Sequence, residues 1–355
     1  MTYQSKNYRP TFSKDGDATS LVTGGAGFIG SHVVDSLLEL GHKVLVLDDL
    51  SGGFRENANP AATLIEGSIT DAELVDDLFS THRIDYVYHL AAYAAEGLSH
   101  FIRTFNYTNN LVGSMNLLNN AIRHRCRCFV FTSSIAVYGA GQTPMHESMT
   151  PQPEDPYGIS KYAVELDLKA AKRMFGLDYI VFRPHNVYGE RQNIGDPYRN
   201  VIGIFMNQIL QGLPCTIFGD GTQTRAFSHV ADVAPVIAAS VSNPAAYNQT
   251  FNVGADIPYS VNYLAEQVQL ALGKHTEVIH LPPREEVLHA FSDHSKSKEV
   301  FGVAAGVTLE EGLQSMAAWV KRAGAREGKP FENIEVEREM PPSWRKLCTT
   351  AKLSV

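Results

Sequence analysis

At 355 residues the chain is long enough to bury a large core in one big or two modest domains. Its composition, 44% hydrophobic and 19% charged with a mean hydropathy of −0.14, is that of a soluble globular protein. The net charge of −8 excludes a basic field for nucleic acid or an anionic membrane surface, and no apolar run reaches the roughly 18 residues of a membrane span.

Met1–Asp17 is polar, lacks the apolar stretch of a secretory signal and reads as a loose N-terminal extension. Ser20–Thr23 is a short apolar run that enters a glycine loop. Phe28–Leu40 has apolar residues at helical spacing, with Gly41 as its stop. Lys43–Asp48, Ala62–Glu66, Tyr86–Leu90 and Arg127–Ser133 read as strands. Asp71–Ser80, Asn106–His124 and Pro156–Phe175 read as the helices between them, and Asp178–Arg183 as another strand. This rhythm implies an α/β fold, a doubly wound parallel sheet with helices on both faces.

After Pro184 the rhythm loosens. Val201–Leu210 and Val261–Leu272 read as helices among Gly/Pro/Asp-rich turns, Leu309–Ala323 as the last helix, and the tail from Gly324, with Pro341-Pro342, as irregular. The expected organisation is a dinucleotide-binding domain over 18–185, to which 226–254 returns. A smaller, discontinuous α/β substrate-binding lobe covers 186–330, and a C-terminal tail covers 331–355. Cys126, Cys128, Cys215 and Cys348 make no disulfide framework, and Cys126-Arg127-Cys128 lacks a second ligand pair at zinc spacing. They read as free thiols in a reducing cytoplasm, and no metal is expected.

Gly24, Gly27 and Gly30 are spaced G-x-x-G-x-x-G between a strand and a helix. Glycine there permits a tight turn, close backbone approach to a pyrophosphate and close helix–strand packing. The helix N-terminus then presents N–H groups to the phosphates. Asp48 ends the next strand, a natural acceptor for both ribose hydroxyls of NAD and repulsive to the 2′-phosphate of NADP. No arginine follows until Arg55, so the expected cofactor is NAD.

Tyr157 and Lys161 are four apart on one helix face. A neighbouring ammonium favours the tyrosinate, which makes Tyr157 a candidate acid/base near neutral pH. Pro156 suits the first helical position. The run from Phe129 to Ser134 ends a strand with hydroxyls at its carboxyl edge, where such sheets bind ligands.

With these residues in place the chain resembles the extended short-chain dehydrogenase/reductases, specifically the nucleotide-sugar epimerases and dehydratases typified by UDP-glucose 4-epimerase. The resemblance runs from Ser20 to Ala323. It is carried by TGGAGFIGSH (Thr23–His32), LDDL (Leu47–Leu50), YHLAA (Tyr88–Ala92), NLVGSMNLL (Asn110–Leu118), TSSIAVYG (Thr132–Gly139), PYGISK (Pro156–Lys161), RPHNVYG (Arg183–Gly189), FGDGTQTRAFSHVADV (Phe218–Val233) and FNVG (Phe251–Gly254).

The resemblance implies a Rossmann-type sheet and a set of roles. Tyr157 is the active-site base, Lys161 its partner on the nicotinamide ribose, and Ser134 the hydroxyl that bonds the reacting sugar oxygen. Phe28, Ile29, Asp49, Ser68, Ile69, Leu90, Ala91, Ala92 and Asn110 join Gly24, Gly27, Gly30 and Asp48 around the cofactor, with Ser68 replacing the usual aspartate beside adenine. Asn186 lies on the substrate side. Arg225 and Arg284 clamp the nucleotide diphosphate, as guanidinium forks suit phosphate oxygens. Val230-Ala231-Asp232 resembles a structural turn. The family also implies a homodimer built on Asn106–His124 and Pro156–Phe175, where Tyr162, Val164 and Leu168 suit either core or interface.

The block before the tyrosine separates the reactions. Dehydratases carry an Asp/Glu pair where this chain has Ile135 and Ala136, which transfer no proton. The implied reaction is inversion at C4 of a nucleotide hexose through a 4-keto sugar. Arg191 is out of register for the carboxylate-binding arginine of uronate epimerases, which favours a neutral hexose. Ala290 stands where strict UDP-glucose epimerases carry a bulky tyrosine, which leaves room for an N-acetyl group. His185 replaces a common aromatic beside Asn186. Alternatives are a uronate 4-epimerase, a dehydratase, a 3,5-epimerase/reductase, which Asp48 disfavours if it needs NADP, and a non-catalytic dinucleotide sensor, which would not need Tyr157, Lys161 and Ser134.

Overall fold

The structure, a computed structural model, describes residues 17–352 apart from 142, 285, 304 and 305, with side chains to 347. The extension expected over Met1–Asp17 lies outside the described residues but for Asp17, as does the side chain of Cys348. The first half runs β1 (Thr19–Thr23), α1 (Phe28–Glu39), β2 (Lys43–Asp48), β3 (Thr63–Glu66), α2 (Ala72–Thr81), β4 (Tyr86–His89), α3 (Glu96–Ser99), α4 (Arg103–Tyr107), α5 (Gly113–Arg123), β5 (Cys128–Thr132), α6 (Pro156–Phe175) and β6 (Asp178–Pro184). The second half runs β7 (Val187–Tyr188), α7 (Val201–Leu210), β8 (Cys215–Phe218), β9 (Thr224–Ala226), β10 (Ser228–His229), α8 (Val230–Ala239), β11 (Gln249–Val253), β12 (Pro258–Ser260), α9 (Val261–Leu272), β13 (Val278–Leu281), β14 (His289–Ala290), α10 (Ser295–Phe301), α11 (Leu309–Ala323) and α12 (Pro342–Lys352).

Among the described residues the main sheet has seven parallel strands in the order β3-β2-β1-β4-β5-β6-β11. Alternate side chains of each strand feed opposite faces. Val22, Val46, Tyr88, Val130 and Phe182 pack under α1 and α8, while Leu21, Leu47, Val87, Phe129 and Val181 pack under α2, α5 and α6. Both faces are covered, so the strands read as continuous apolar runs. The strand order reverses between β1 and β4, which opens a crevice at the carboxyl edge.

A second core lies under α7, α9 and α11, around Phe205, Met206, Leu264, Leu313 and Met316. Three departures from the sequence reading have physical causes. Val230-Ala231-Asp232 is the first turn of α8, and its Asp232 carboxylate accepts the N–H of Val307, docking the segment before α11. Asn106–His124 is not one regular helix, because residues Thr108–Val112 form a π-helical turn between α4 and α5.

The tail is not irregular throughout. Pro341-Pro342 begins α12 rather than ending structure. The Pro341 carbonyl accepts the N–H of Trp344 and Arg345, and Pro342 takes the first helical position, where its missing N–H leaves nothing unpaired. Val164 and Leu168 are core residues at 1% exposure, and Tyr162 is half-buried.

Candidate active site

The crevice widens into a cleft of about 1150 Å³ between the sheet edge and the smaller lobe. One wall is the turn from β1 to α1. Gly24 has φ +72°, and a Cβ there would meet the Ala91 backbone nitrogen at 2.8 Å; one at Gly30 would lie 2.0 Å from the Gly24 carbonyl oxygen. Only bare backbone fits this loop, and it leaves a concave glycine floor of the size a pyrophosphate needs. Asp48 closes the loop by accepting Ala26 N–H at 2.9 Å and Leu50 N–H at 2.8 Å. Arg55 is ion-paired with Glu66. The residues present therefore fit a dinucleotide.

Gly24, Gly27, Phe28, Ile29, Gly30, Asp48, Asp49, Ile69, Leu90, Ala91 and Ala92 all line the cleft. Two expected cofactor residues are not brought there. Ser68 pairs its hydroxyl with Thr70 at 2.9 Å. Asn110 is buried, accepts Tyr93 N–H and donates to the Tyr93 carbonyl and to Asn106 Oδ1. Its amide clips the β4–α3 loop to the π-helical turn and satisfies both backbone polar groups of Tyr93.

The chemical centre is set by the start of α6. Asp155 caps the helix by accepting Gly158 N–H at 2.9 Å, Pro156 follows, and Tyr157 falls in the first turn over the sheet edge. Ser134 stands just after β5, accepts Ala136 N–H at 3.1 Å and lines the cleft together with Tyr157. Lys161 Nζ donates to the Thr132 carbonyl at 2.8 Å and lies 4.8 Å from the centre of the Phe131 ring. Behind them Ser133 donates to Glu165 at 2.6 Å. Glu165 is paired with Arg183 at 2.5 and 2.9 Å in a fully enclosed ion pair.

The expected lowering of the Tyr157 phenol is corrected here. Burial dominates and raises its pKa, with the Ser134 hydrogen bond opposing. Lys161 is itself pushed down to about 7 by burial. Desolvation disfavours both charged forms.

Arg225, Arg284, Ala290 and Asn186 also line the cleft. Arg225 donates to the carbonyls of Thr224 and Leu288, each at 2.9 Å, and of Val287. Arg284 is the less engaged of the pair: it reaches Glu286 at 3.2 Å and lies 4.6 Å over the Phe218 ring. Ala290 is buried beside Ile135 and Val137. His185 stacks on His294 at 5.1 Å, is buried, and is held down to about 3 by that burial and by His294. Arg191 pairs with Asp35 at 2.6 Å.

Sequence reasoning missed Glu96, Arg199 and Trp344, none of which stands in a motif. Arg199 is engaged with Asp196 at 2.6 Å. Glu96 opens α3, lines the cleft, is more than a third exposed and makes no ion pair among the described residues, though protein atoms crowd around it. Burial and then Asp155 push its carboxyl up to about 7, against the pull of Arg225 and Arg284. Among the described residues no cluster of His, Cys, Asp and Glu would hold a metal ion, and no helix is long and apolar enough to cross a membrane.

Residues 20–254 match the model of the NAD dependent epimerase/dehydratase family. A putative UDP-glucose 4-epimerase of Methanocaldococcus jannaschii is 37% identical over 306 residues, spanning 85% of this chain and 98% of that protein. The UDP-glucose 4-epimerase of Thermotoga maritima, solved with UDP-glucose, superposes with a TM-score of 0.80 at 38% identity, over 86% of this chain and 99% of that one. The UDP-N-acetylglucosamine 4-epimerase of Methanobrevibacter ruminantium, solved with UDP-N-acetylmuramic acid, gives 0.81 at 33% identity over the same shares.

Proposed function

The chain belongs to the NAD-dependent epimerase/dehydratase family, and within it we propose a 4-epimerase that inverts C4 of a UDP-hexose through a transient 4-keto sugar. The observation that carries this reading is the Ser134–Tyr157 hydroxyl pair beside the glycine loop, with Ile135 and Ala136 where elimination needs proton-transferring side chains.

Bound NAD supplies the hydride acceptor and, in the return step, the donor. The chain supplies everything else. Tyr157 takes the proton of the 4-hydroxyl and later returns one to the same oxygen. Ser134 holds that oxygen in line. Lys161, fixed on the Thr132 carbonyl, orients the tyrosine and meets the nicotinamide ribose. Arg284, with Arg225 behind it, holds the diphosphate while the keto sugar turns over and presents its other face. Asp48 accepts the adenine-side ribose hydroxyls. With Arg55 committed to Glu66, nothing there favours a 2′-phosphate, so NAD is preferred over NADP.

The sugar is a neutral hexose. Glu96 lines the same cleft as Tyr157 and the two arginines, and its carboxylate repels a uronate. Arg191 is paired with Asp35 at 2.6 Å and does not line the cleft, and Arg199, which does, is engaged with Asp196. Ala290 leaves space at C2 for an N-acetyl group, as in the relative named for UDP-N-acetylglucosamine. The enzyme works in the cytoplasm as a homodimer, closing the exposed apolar face of Val112, Ile159 and Leu166.

The test is incubation of purified protein, with no cofactor added, with UDP-galactose, UDP-N-acetylgalactosamine and UDP-galacturonate, following the anomeric protons by NMR. New gluco-configured signals from the first two support the reading. No change in any of them, even with added NAD, overturns it.

A further inference from the structure

The two-lobed body ends with α11, and 86% of the chain suffices to cover 99% of the Thermotoga enzyme. The tail that follows turns back across the cleft. Arg326 lies 3.7 Å over the Phe54 ring, and its backbone N–H and carbonyl are both bound by Asn207. Phe331 packs edge-on to Phe105 at 4.9 Å. The Glu335 carboxylate accepts the N–H of Thr104 and Phe105, at 2.8 and 2.9 Å, where α4 begins.

These attachments bring the first turn of α12 to the mouth of the cleft, where Ser343, Trp344 and Leu347 become lining residues. Trp344 is 4% exposed. Its indole meets Phe218 edge-on at 6.3 Å, Tyr198 at 5.3 Å and Phe101 at 6.3 Å, and it lies 5.6 Å from the Arg284 guanidinium carbon. Residue 97 is a glycine beneath it: a Cβ there would lie 3.2 Å from the indole. Ser343 Oγ is buried without a hydrogen-bond partner.

We propose that the tail is an added wall of the nucleotide-sugar cleft and that Trp344 is its positioning residue, holding the Arg284 guanidinium against Phe218 for the ligand's diphosphate. Arg284 is a long, rotamer-rich side chain on an irregular segment after β13. Aromatic faces on two sides fix its plane before the ligand arrives, so less ordering remains to be done on binding. The inference rests on the diphosphate role of Arg284 in the proposed function.

The experiment is a calorimetric titration of the full-length, NAD-loaded protein with UDP, for wild type, Trp344→Ala, Trp344→Phe, Arg284→Ala and the double variant Trp344→Ala/Arg284→Ala. Trp344→Ala is expected to weaken UDP about tenfold, and Trp344→Phe to stay near wild type. The double variant should bind as Arg284→Ala does, because the indole acts through the guanidinium. Unchanged or tighter UDP binding in Trp344→Ala overturns the proposal, the latter by making the tail a plug. Fully additive losses overturn it as well. Loss of NAD from Trp344→Ala would make the tail a brace of the whole fold and overturn the local role. Unchanged binding in Arg284→Ala identifies the failure as that of the diphosphate assignment itself.

Discussion

Lys161 Nζ lies 5.8 Å from the centre of the Tyr157 ring, one helical turn below it, and donates at 2.8 Å to the Thr132 carbonyl. The ammonium is thus bound to the sheet edge and buried, without a carboxylate in hydrogen-bond contact. Burial lowers its pKa to about 7, against about 10.4 in an unfolded chain. Between those values the unfolded chain holds a proton that the folded one does not, so this group's contribution to stability rises with pH across that window. Below about 7 the folded state carries the full cost of the buried charge. Denaturant unfolding of cofactor-free protein should show this rise, and Lys161→Met should flatten it. An unaltered slope would mean that Lys161 is not desolvated.

Tyr157→Phe removes the phenol hydroxyl that the first turn of α6 places in the cleft with Ser134. Epimerisation should fall by about 10²–10⁴-fold, while NAD remains bound because the glycine loop and Asp48 are untouched. Turnover and the cofactor content of the purified variant check the two halves separately.

Much of this site was legible in the sequence because it is local. Glycine spacing, a strand-ending aspartate and a Tyr/Lys pair one turn apart are short-range patterns, and α6, α7, α9 and α11 begin and end where their periodicity and caps place them. What failed depends on long-range packing. Asn110 opens a block that the family resemblance assigns to the cofactor, yet its amide closes on Tyr93 and Asn106 beside the π-helical turn. Glu96 is an isolated carboxylate in the sequence until the fold brings it into the cleft that Tyr157 and Arg284 line. Trp344 follows a Pro-Pro pair that reads as a break, and the long-range hydrophobic cluster with Ala95, Leu98 and Tyr198, which the sequence does not show, gives α12 a place to dock.

In the proposed function Glu96 is the residue that disfavours uronates. Its carboxyl is pushed up to about 7, so its charge builds as pH rises through 7 and is lost below it. Uronate binding relative to neutral hexose binding should weaken from pH 6 to pH 8. Glu96→Gln should flatten that dependence and admit UDP-galacturonate about tenfold better, since a neutral amide replaces a like-charge repulsion. Competition titrations at the two pH values decide it; equal profiles for wild type and variant would remove Glu96 from the sugar subsite.

Ala290→Tyr places a large ring in a packed corner beside Ile135 and Val137. Turnover of UDP-N-acetylgalactosamine should drop about tenfold or more relative to UDP-galactose. If the ratio of the two rates is unmoved, C2 does not face this corner.

Leu166 is 48% exposed on α6, on the same face as Ile159 at 39%, with Val112 at 51% beside α5. A Leu166→Glu substitution puts a charge into the proposed helix–helix interface and should shift the protein from dimer to monomer by light scattering. A wild type that is monomeric at micromolar concentration would contradict the assignment.

The central claim is that C4 is oxidised and reduced again within one site, with Tyr157 moving only the oxygen-bound proton. UDP-galactose carrying deuterium at C4 tests it directly in ordinary water. The account predicts that the glucose epimer formed retains deuterium at C4, because the hydride leaves and returns without meeting solvent. Protium at C4 of the product would show proton exchange at carbon, and would contradict the account.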